Sequence, residues 1–269
     1  MTSALSTPAI AQSRQMTLDD LGALVSLGAP VFTPDGASIM LSVGRPNYET
    51  NRRDVEWMLI DIGRGTSRNV SLGATGGGSP AWSRDGRLAF LAPATQAPNA
   101  PMQIWVADSL GAAAQMVTDA PKGALDFAWS PDGASLAYLT ADLPGTRTGA
   151  ERFNDGFVVG NDPYLIAAEP ARVHLWVATA AGKDSHRLTN GTWSLATSLN
   201  QSPIAWSPDG TTIAVQRFES AHSGDTDKSA VLLVDVATGA TRPFTGSRWR
   251  EDDPVFSPDG RWIAFYTPR

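Results

Sequence analysis

Apolar residues along this chain come in short runs separated by turn-forming residues, and the runs recur in a fixed order. A run ending in an aromatic residue meets a turn and is followed at once by a second run. The order is Phe32-Thr33-Pro34-Asp35-Gly36 before Ile39-Met40-Leu41, and Trp82-Ser83-Arg84-Asp85-Gly86 before Leu88-Ala89-Phe90-Leu91. It returns as Trp129-Ser130-Pro131-Asp132-Gly133 before Leu136-Ala137-Tyr138-Leu139, and as Trp206-Ser207-Pro208-Asp209-Gly210 before Ile213-Ala214-Val215. The last copy is Phe256-Ser257-Pro258-Asp259-Gly260 before Ile263-Ala264-Phe265. Runs this short between turn signals predict strands, so each copy is expected to be a β-hairpin. Ser-Pro-Asp-Gly fills a type I turn in order, and the glycine takes the left-handed position of a closing bulge.

A second pair of runs also recurs. It reads Trp57-Met58-Leu59-Ile60-Asp61 to Ser67-Arg68-Asn69-Val70 across Gly63-Arg64-Gly65, and Ile104-Trp105-Val106-Ala107-Asp108 to Met116-Val117-Thr118. It reads again as Leu175-Trp176-Val177-Ala178 to Arg187-Leu188-Thr189, and as Leu232-Leu233-Val234-Asp235 to Pro243-Phe244-Thr245. Each cassette is a four-stranded meander whose apolar content suits a sheet covered on both faces.

The turn aspartates stand at 35, 85, 132, 209 and 259. Four-stranded units at such a period predict an all-β fold, a β-propeller of four-stranded antiparallel blades with about four and a half blades present. The expected blades are 31-72, 80-119, 127-190, 203-246 and 254-269, with an insertion at 141-170 where the spacing is longest. The fifth cassette stops after its second strand, so the propeller is expected to be incomplete. Its last segment, 251-269, is expected to fray, and the open blade edge to promote self-association.

Ahead of the repeats, Thr17 can cap a short helix with Asp19 and Asp20 in its first turn. Leu18, Leu21, Leu24 and Val25 would form its apolar side, with Gly28 and Pro30 as its stop. Residues 1-15 read as a disordered tail or as the remnant of a signal peptide. Ala9-Ile10-Ala11 resembles a small-residue cleavage site, but a positive segment and a long apolar segment before it are missing. The second reading favours a periplasmic over a cytoplasmic location.

Composition narrows the function classes. With 42% hydrophobic and 18% charged residues, the chain is globular in character. A formal net charge of -6 without a long Lys/Arg run argues against nucleic acid as partner. The absence of cysteine excludes disulfides and thiolate metal sites. No apolar run approaches the ~18 residues of a membrane span.

Chemistry-bearing motifs are few. There is no Gly-x-Ser-x-Gly elbow. His174 precedes a strand and His186 lies near a hairpin turn, so both are expected at the surface. His222 sits in the polar stretch 222-227, where clustered carboxylates could hold a cation, but no full oxygen-ligand spacing is visible and a solvated loop is expected. Gly76-Gly77-Gly78 joins two blades and meets neither a helix nor a lysine. Neither a metal nor a cofactor is therefore expected. Trp82, Trp129 and Trp206 recur at one repeat position, and Trp57, Trp105 and Trp176 at another, which predicts packing between blades.

The repeats, with their Leu-Trp-Val strand and terminal Leu-Thr, resemble the TolB-like propeller repeat. Four further stretches resemble the propeller of the prolyl oligopeptidase family of serine peptidases, its acylaminoacyl-peptidase and dipeptidyl-aminopeptidase branch in particular. They are Leu18-Asp19-Asp20-Leu21, Asn51-Arg52-Arg53, Val159-Gly160-Asn161-Asp162-Pro163-Tyr164-Leu165 and His222-Ser223-Gly224-Asp225. The resemblance implies a partner, a C-terminal α/β-hydrolase domain carrying Ser, Asp and His, whose active site the propeller covers and which cleaves short peptides. This chain holds no counterpart of those catalytic residues and is expected to be inactive alone. The competing reading is a non-enzymatic TolB-like propeller that binds a protein partner.

In the resembling peptidases, propeller insertions can reach the active-site cavity, and acidic residues can hold a substrate's amino terminus. The resemblance therefore makes Glu151, Asp155 and Asp162 candidates for gating or amino-terminus binding. Arg152 could take a carboxylate, and Tyr164 is the accompanying aromatic. The adjacent glutamate pair of the dipeptidyl peptidases is missing. The alternative is a surface hairpin with solvated charges.

Overall fold

A computed structural model of the chain describes residues 15-268 apart from 71, 73-77, 98, 111, 147, 154-155, 158, 160-167, 183 and 247-248. Its elements begin with helix α1 (Leu18–Gly22) and the short strands β1 (Ser26–Leu27) and β2 (Val31–Phe32). The first blade continues with β3 (Ser38–Asn47), β4 (Arg52–Asp61) and β5 (Thr66–Val70). The second is β6 (Gly78–Trp82), β7 (Leu88–Pro93), β8 (Met102–Ala107) and β9 (Gln115–Met116). The third is β10 (Asp126–Trp129), β11 (Ser135–Ala141), β12 (Val173–Thr179) and β13 (Ser185–Arg187). The fourth is β14 (Ile204–Trp206), β15 (Thr212–Phe218), β16 (Ser229–Asp235) and β17 (Thr241–Pro243), and β18 (Asp252–Phe256) with β19 (Ile263–Tyr266) closes the described chain.

Every pairing is antiparallel, and beyond the first blade the strands pair in chain order, so those sheets are meanders. The first blade adds a strand: β1 and β2 both pair with β3, at different heights along it. The architecture is a β-propeller with a two-stranded final sheet. In each meander the two outer turns fall at one end. The middle connection and the link to the next blade fall at the other end. The segment between β11 and β12, residues 142-172, is by far the longest of these middle connections.

The repeated turn is held by local polar chemistry. The glycines at 36, 86, 133, 210 and 260 have φ between 67° and 89°, a region that Gly enters without a Cβ penalty. In the third copy, Gly133 N–H donates to Ser130 O (2.9 Å) and Ser130 N–H to Ser135 O (2.9 Å). The Ser130 hydroxyl donates to Asp132 (2.6 Å) and accepts the N–H of Ser135 (2.9 Å). Equivalent hydroxyl–aspartate bonds stand in the other copies, with Thr33 in place of serine in the first. The hydroxyl chiefly holds Asp35, Asp132, Asp209 and Asp259 below the usual carboxylate range; for Asp85 the Arg87 guanidinium comes first.

The end of the repeat also has a function in the fold. The hydroxyls of Thr118, Thr189 and Thr245 accept the backbone N–H of Ile104, Leu175 and Val231, each at 2.9 Å. Strand four of these three blades is so short that this side chain supplies a rung the ladder lacks.

The core lies between blades. Met40, Trp57 and Val70 of the first blade pack on Leu88 and Phe90 of the second. Leu91, Ile104 and Val106 of the second meet Phe127, Leu136 and Tyr138 of the third. Leu139, Leu175 and Val177 meet Ile213, Val215 and Leu232 of the fourth. The repeated tryptophans tie these interfaces: Trp129 Nε1 donates to Ala81 O (3.0 Å) and Trp206 Nε1 to Ala128 O (3.2 Å), each reaching into the preceding blade.

Two expectations change. Helix α1 does carry the capping box Thr17–Asp20, but it ends at Gly22, before the expected stop at Gly28 and Pro30. Its apolar side is not buried: Leu18, Leu21, Leu24 and Val25 are all exposed, and the chain turns at once into β1. At the other end, β18 and β19 form a paired hairpin docked on the fourth blade. Gln216 Nε2 donates to the buried Asp252 carboxylate, which also takes Arg250 Nε (2.5 Å). The outer face of this hairpin leaves Val255, Trp262 and Tyr266 exposed. Among the described residues no helix is long and apolar enough to cross a membrane.

Trp206→Phe and Trp129→Phe remove one cross-blade hydrogen bond each while keeping most of the ring, and should cost about 1 kcal/mol. Trp82 occupies the same position, yet its Nε1 has no partner among the described residues, so Trp82→Phe should cost clearly less. Urea unfolding midpoints of the three variants check this ordering.

Candidate functional site at the root of the insertion

The insertion leaves the third blade at Asp142 and returns at Arg172, and the Asp142 N–H donates to Arg172 O (2.8 Å), closing its neck. The Asp142 carboxylate receives Arg187 of β13 in two-pronged fashion, Nη1 to Oδ1 at 3.0 Å and Nη2 to Oδ2 at 3.1 Å. Arg187 Nε donates to Thr189 O (2.6 Å), so all three guanidinium nitrogens are engaged. Arg172 Nε reaches Thr192 O at 3.1 Å on the following link.

Beneath this pair lies His174, which is fully buried and not at the surface as expected. Its Nδ1 stands 3.2 Å from the Thr189 hydroxyl, and its ring meets Trp193 edge-on at 5.0 Å. Nε2 lies 3.6 Å from Asp142 Oδ2, beyond hydrogen-bond reach. Burial and the adjacent Arg187 charge push the imidazole pKa down from 6.5 to about 4, against the opposing pull of Asp142. The residue is a neutral core group. The repeat explains why: Gln103 holds the same place in the second blade, buried and bonded to Thr118 and Ala120.

A cleft of about 480 Å³ opens beside the Asp142–Arg187 pair. It is lined by Tyr138 and Trp176, whose rings lie 6.4 Å apart, with Ala120, Pro121 and Leu143 and the acidic rim residue Asp119. Desolvation pushes the Tyr138 phenol up, with the Ser185 hydroxyl opposing. Asp142 and Leu143 also border a second, open cleft of about 700 Å³ with Glu169 and Arg172.

Of the insertion residues singled out from the sequence, Glu151 and Arg152 sit on a short 3₁₀ turn, Gly149–Phe153, and are exposed. The Arg152 guanidinium lies 4.5 Å over the Phe153 ring. Asp155, Asp162 and Tyr164 lie outside the described residues. Neither Glu151 nor Arg152 lines the 480 Å³ cleft. His186 is exposed as expected, and the carboxylate of Asp225 is spent on Ser220 (2.5 Å) and Lys228 (3.0 Å) within its own loop. Sequence reasoning missed Asp142, Arg187 and Tyr138; aligning the blades position by position would have marked them.

Because folded His174 titrates well below an unfolded histidine, the unfolded chain binds more protons between pH 6.5 and about 4. Stability should therefore rise with pH across that window and fall on acidification, by at most about 3 kcal/mol. His174→Gln, which copies the second blade, should flatten this segment of the stability profile, as read from denaturation midpoints between pH 4 and pH 7.

No protein-family model matches the chain. It is 25% identical over 251 residues to an uncharacterized peptidase, YuxL, of Bacillus subtilis, covering 93% of this chain and 31% of that protein. It is 26% identical over 277 residues to dipeptidyl-peptidase 5 of Porphyromonas endodontalis, covering 94% of this chain and 38% of that enzyme. The chain thus spans about a third of the length of the curated relatives it matches. Among solved structures, an acylaminoacyl peptidase of Pyrococcus horikoshii superposes with TM-score 0.61 at 16% identity, over 92% of this chain and 36% of the other. A putative TolB of Agrobacterium tumefaciens gives 0.56 at 18% identity, over 89% and 69%. The two relatives named above are peptidases, and the neighbours of this chain among solved structures are the propeller regions of acylaminoacyl peptidases and puromycin hydrolases, together with TolB-like propellers.

Proposed function

We propose that this chain is the propeller portion of a serine peptidase, acting with an α/β-hydrolase domain whose active site it covers and gates, and that the whole enzyme cleaves short peptides. The observation that carries this reading is the extent of the two peptidase alignments. Each takes in more than nine-tenths of this chain but only about a third of the relative. In those homologues the propeller is one part of a larger enzyme. A propeller lacking catalytic residues of its own acts on such a partner by controlling access, and the insertion at 142-172 is the element long enough to do it.

The proposal makes the chain dependent on a hydrolase segment encoded after residue 269. Joined to that segment, the protein should label with a fluorophosphonate probe; the 269-residue chain alone should not. A following segment made only of further propeller repeats, with no labelling, would overturn the peptidase reading in favour of a binding module. Gating is tested in the labelled enzyme by replacing residues 144-170 with the four-residue connection 48-51 of the first blade. Cleavage of long peptides should then gain at least about fivefold in kcat/KM relative to dipeptide substrates. An unchanged ratio would remove the gate while leaving the enzyme.

A further inference from the structure

The repeat supplies its own reference. Each position in a blade is occupied several times by residues under the same packing demands, so a polar residue where sister blades hold apolar ones answers to something particular to its own blade. The third blade departs in this way on one face. Tyr138, Trp176 and Arg187 stand in register across β11, β12 and β13. The same three positions read Leu41, Met58 and Asn69 in the first blade, Phe90, Trp105 and Met116 in the second, and Val215, Leu232 and Pro243 in the fourth, so the third blade alone places a phenol and a charge there. One pair along the blades are mixed: Thr140 stands where the second blade has Ala92 and the fourth Arg217, and Ser185 where the second has Ala114 and the fourth Thr241. Trp105 is anchored by its Nε1 to Ala92 O (3.2 Å), whereas Trp176 Nε1 has no partner among the described residues.

These departures line one cavity, the cleft of about 480 Å³ between the second and third blades. It opens at the end of the propeller that bears the insertion, and the neck residues Asp142 and Leu143 form its wall. Its body is apolar and aromatic. Its charges are unequal in availability: Arg187 has every nitrogen committed to Asp142 and Thr189, whereas Asp119 stands exposed at the rim. Such a site favours an apolar body with an adjacent cation and disfavours an adjacent anion.

We propose that this cleft binds a peptide segment that presents an aromatic or large aliphatic side chain next to a positive charge, the side chain lying against Tyr138, Trp176 and Leu143 and the cation at Asp119. The volume suits a dipeptide unit. Every residue involved belongs to this chain, so the inference stands independently of the peptidase reading and is tested on the chain itself.

The probes are N-acetylated dipeptide amides, Ac-Phe-Arg-amide, Ac-Phe-Glu-amide and Ac-Gly-Arg-amide, followed by calorimetry. The indole N–H resonance of Trp176, assigned with Trp176→Phe, reports the location. Ac-Phe-Arg-amide should bind saturably and shift that resonance. The other two should bind at least about tenfold more weakly, a difference of about 1.4 kcal/mol. Asp119→Asn places there the residue that Asn190 supplies at the next blade link, so the fold should be kept. It should bring the Arg and Glu peptides within about twofold of each other. Absence of saturable binding, equal affinity for the three peptides, or an Arg preference that survives Asp119→Asn would each overturn the proposal.

Discussion

No blade of this chain can bury its own faces, and the structure follows from that constraint. A four-stranded meander is one layer thick, with apolar side chains on both sides, and it becomes stable only when a neighbour covers each side. The three largest apolar clusters of the described chain are all shared between consecutive blades. The cross-blade bonds of Trp129 and Trp206 belong to the same demand: an indole buried at such an interface needs an acceptor, and the first strand of the preceding blade offers one. The final hairpin shows the rule at its limit. Its inner face is docked through Phe256, Ile263 and Phe265, while Trp262 and Tyr266 on the other face remain open.

What was legible in the sequence was what is decided locally and repeated. The Ser-Pro-Asp-Gly turn closes itself through a hydroxyl, a carboxylate and a glycine within a few residues, so its chemistry reads directly from the chain. The recurring Trp82, Trp129 and Trp206 announced the interfaces because repetition is itself a statement about packing, whereas Trp57, expected at the position of Trp105 and Trp176, stands one residue out of register with them and faces the following blade. What was not legible was decided across the sheet. His174 looked like a surface residue because it precedes a strand, but the partners that bury it, Thr189 and Trp193, arrive many residues later. Asp142 and Arg187 are far apart in sequence and meet only because β11, β12 and β13 pair in order. Helix α1 carried every local start signal, yet its apolar residues found no surface to cover.

The same contrast separates fold from function. Positions that repeat serve the propeller; positions that break the repeat have been released from that duty or bear another. The third blade concentrates such breaks. Its middle connection is the longest, its third strand carries a buried histidine where its neighbours have Gln103 and Ala230, and its face toward the second blade bears Tyr138 and Arg187 where theirs have Phe90 and Met116 or Val215 and Pro243. A polar residue at an interface position costs burial unless it is paired, and here the pairing is complete for Arg187 and Asp142. That pairing also clamps the neck of the insertion, since Asp142 is its first residue and bonds to its last.

The two breaks therefore share a physical cause. An insertion between strands two and three would splay the sheet at its end unless the strands were held beyond the last backbone rung. The Arg187 bridge does this, reaching from strand four to the exit of strand two across the buried His174. A guanidinium needs room and a polar surround that a tightly packed blade interface does not offer, and the space left beside it is the cleft. On this argument the cleft is a consequence of anchoring the insertion, and its exposed rim carboxylate and aromatic walls are the features on which the proposed peptide binding rests.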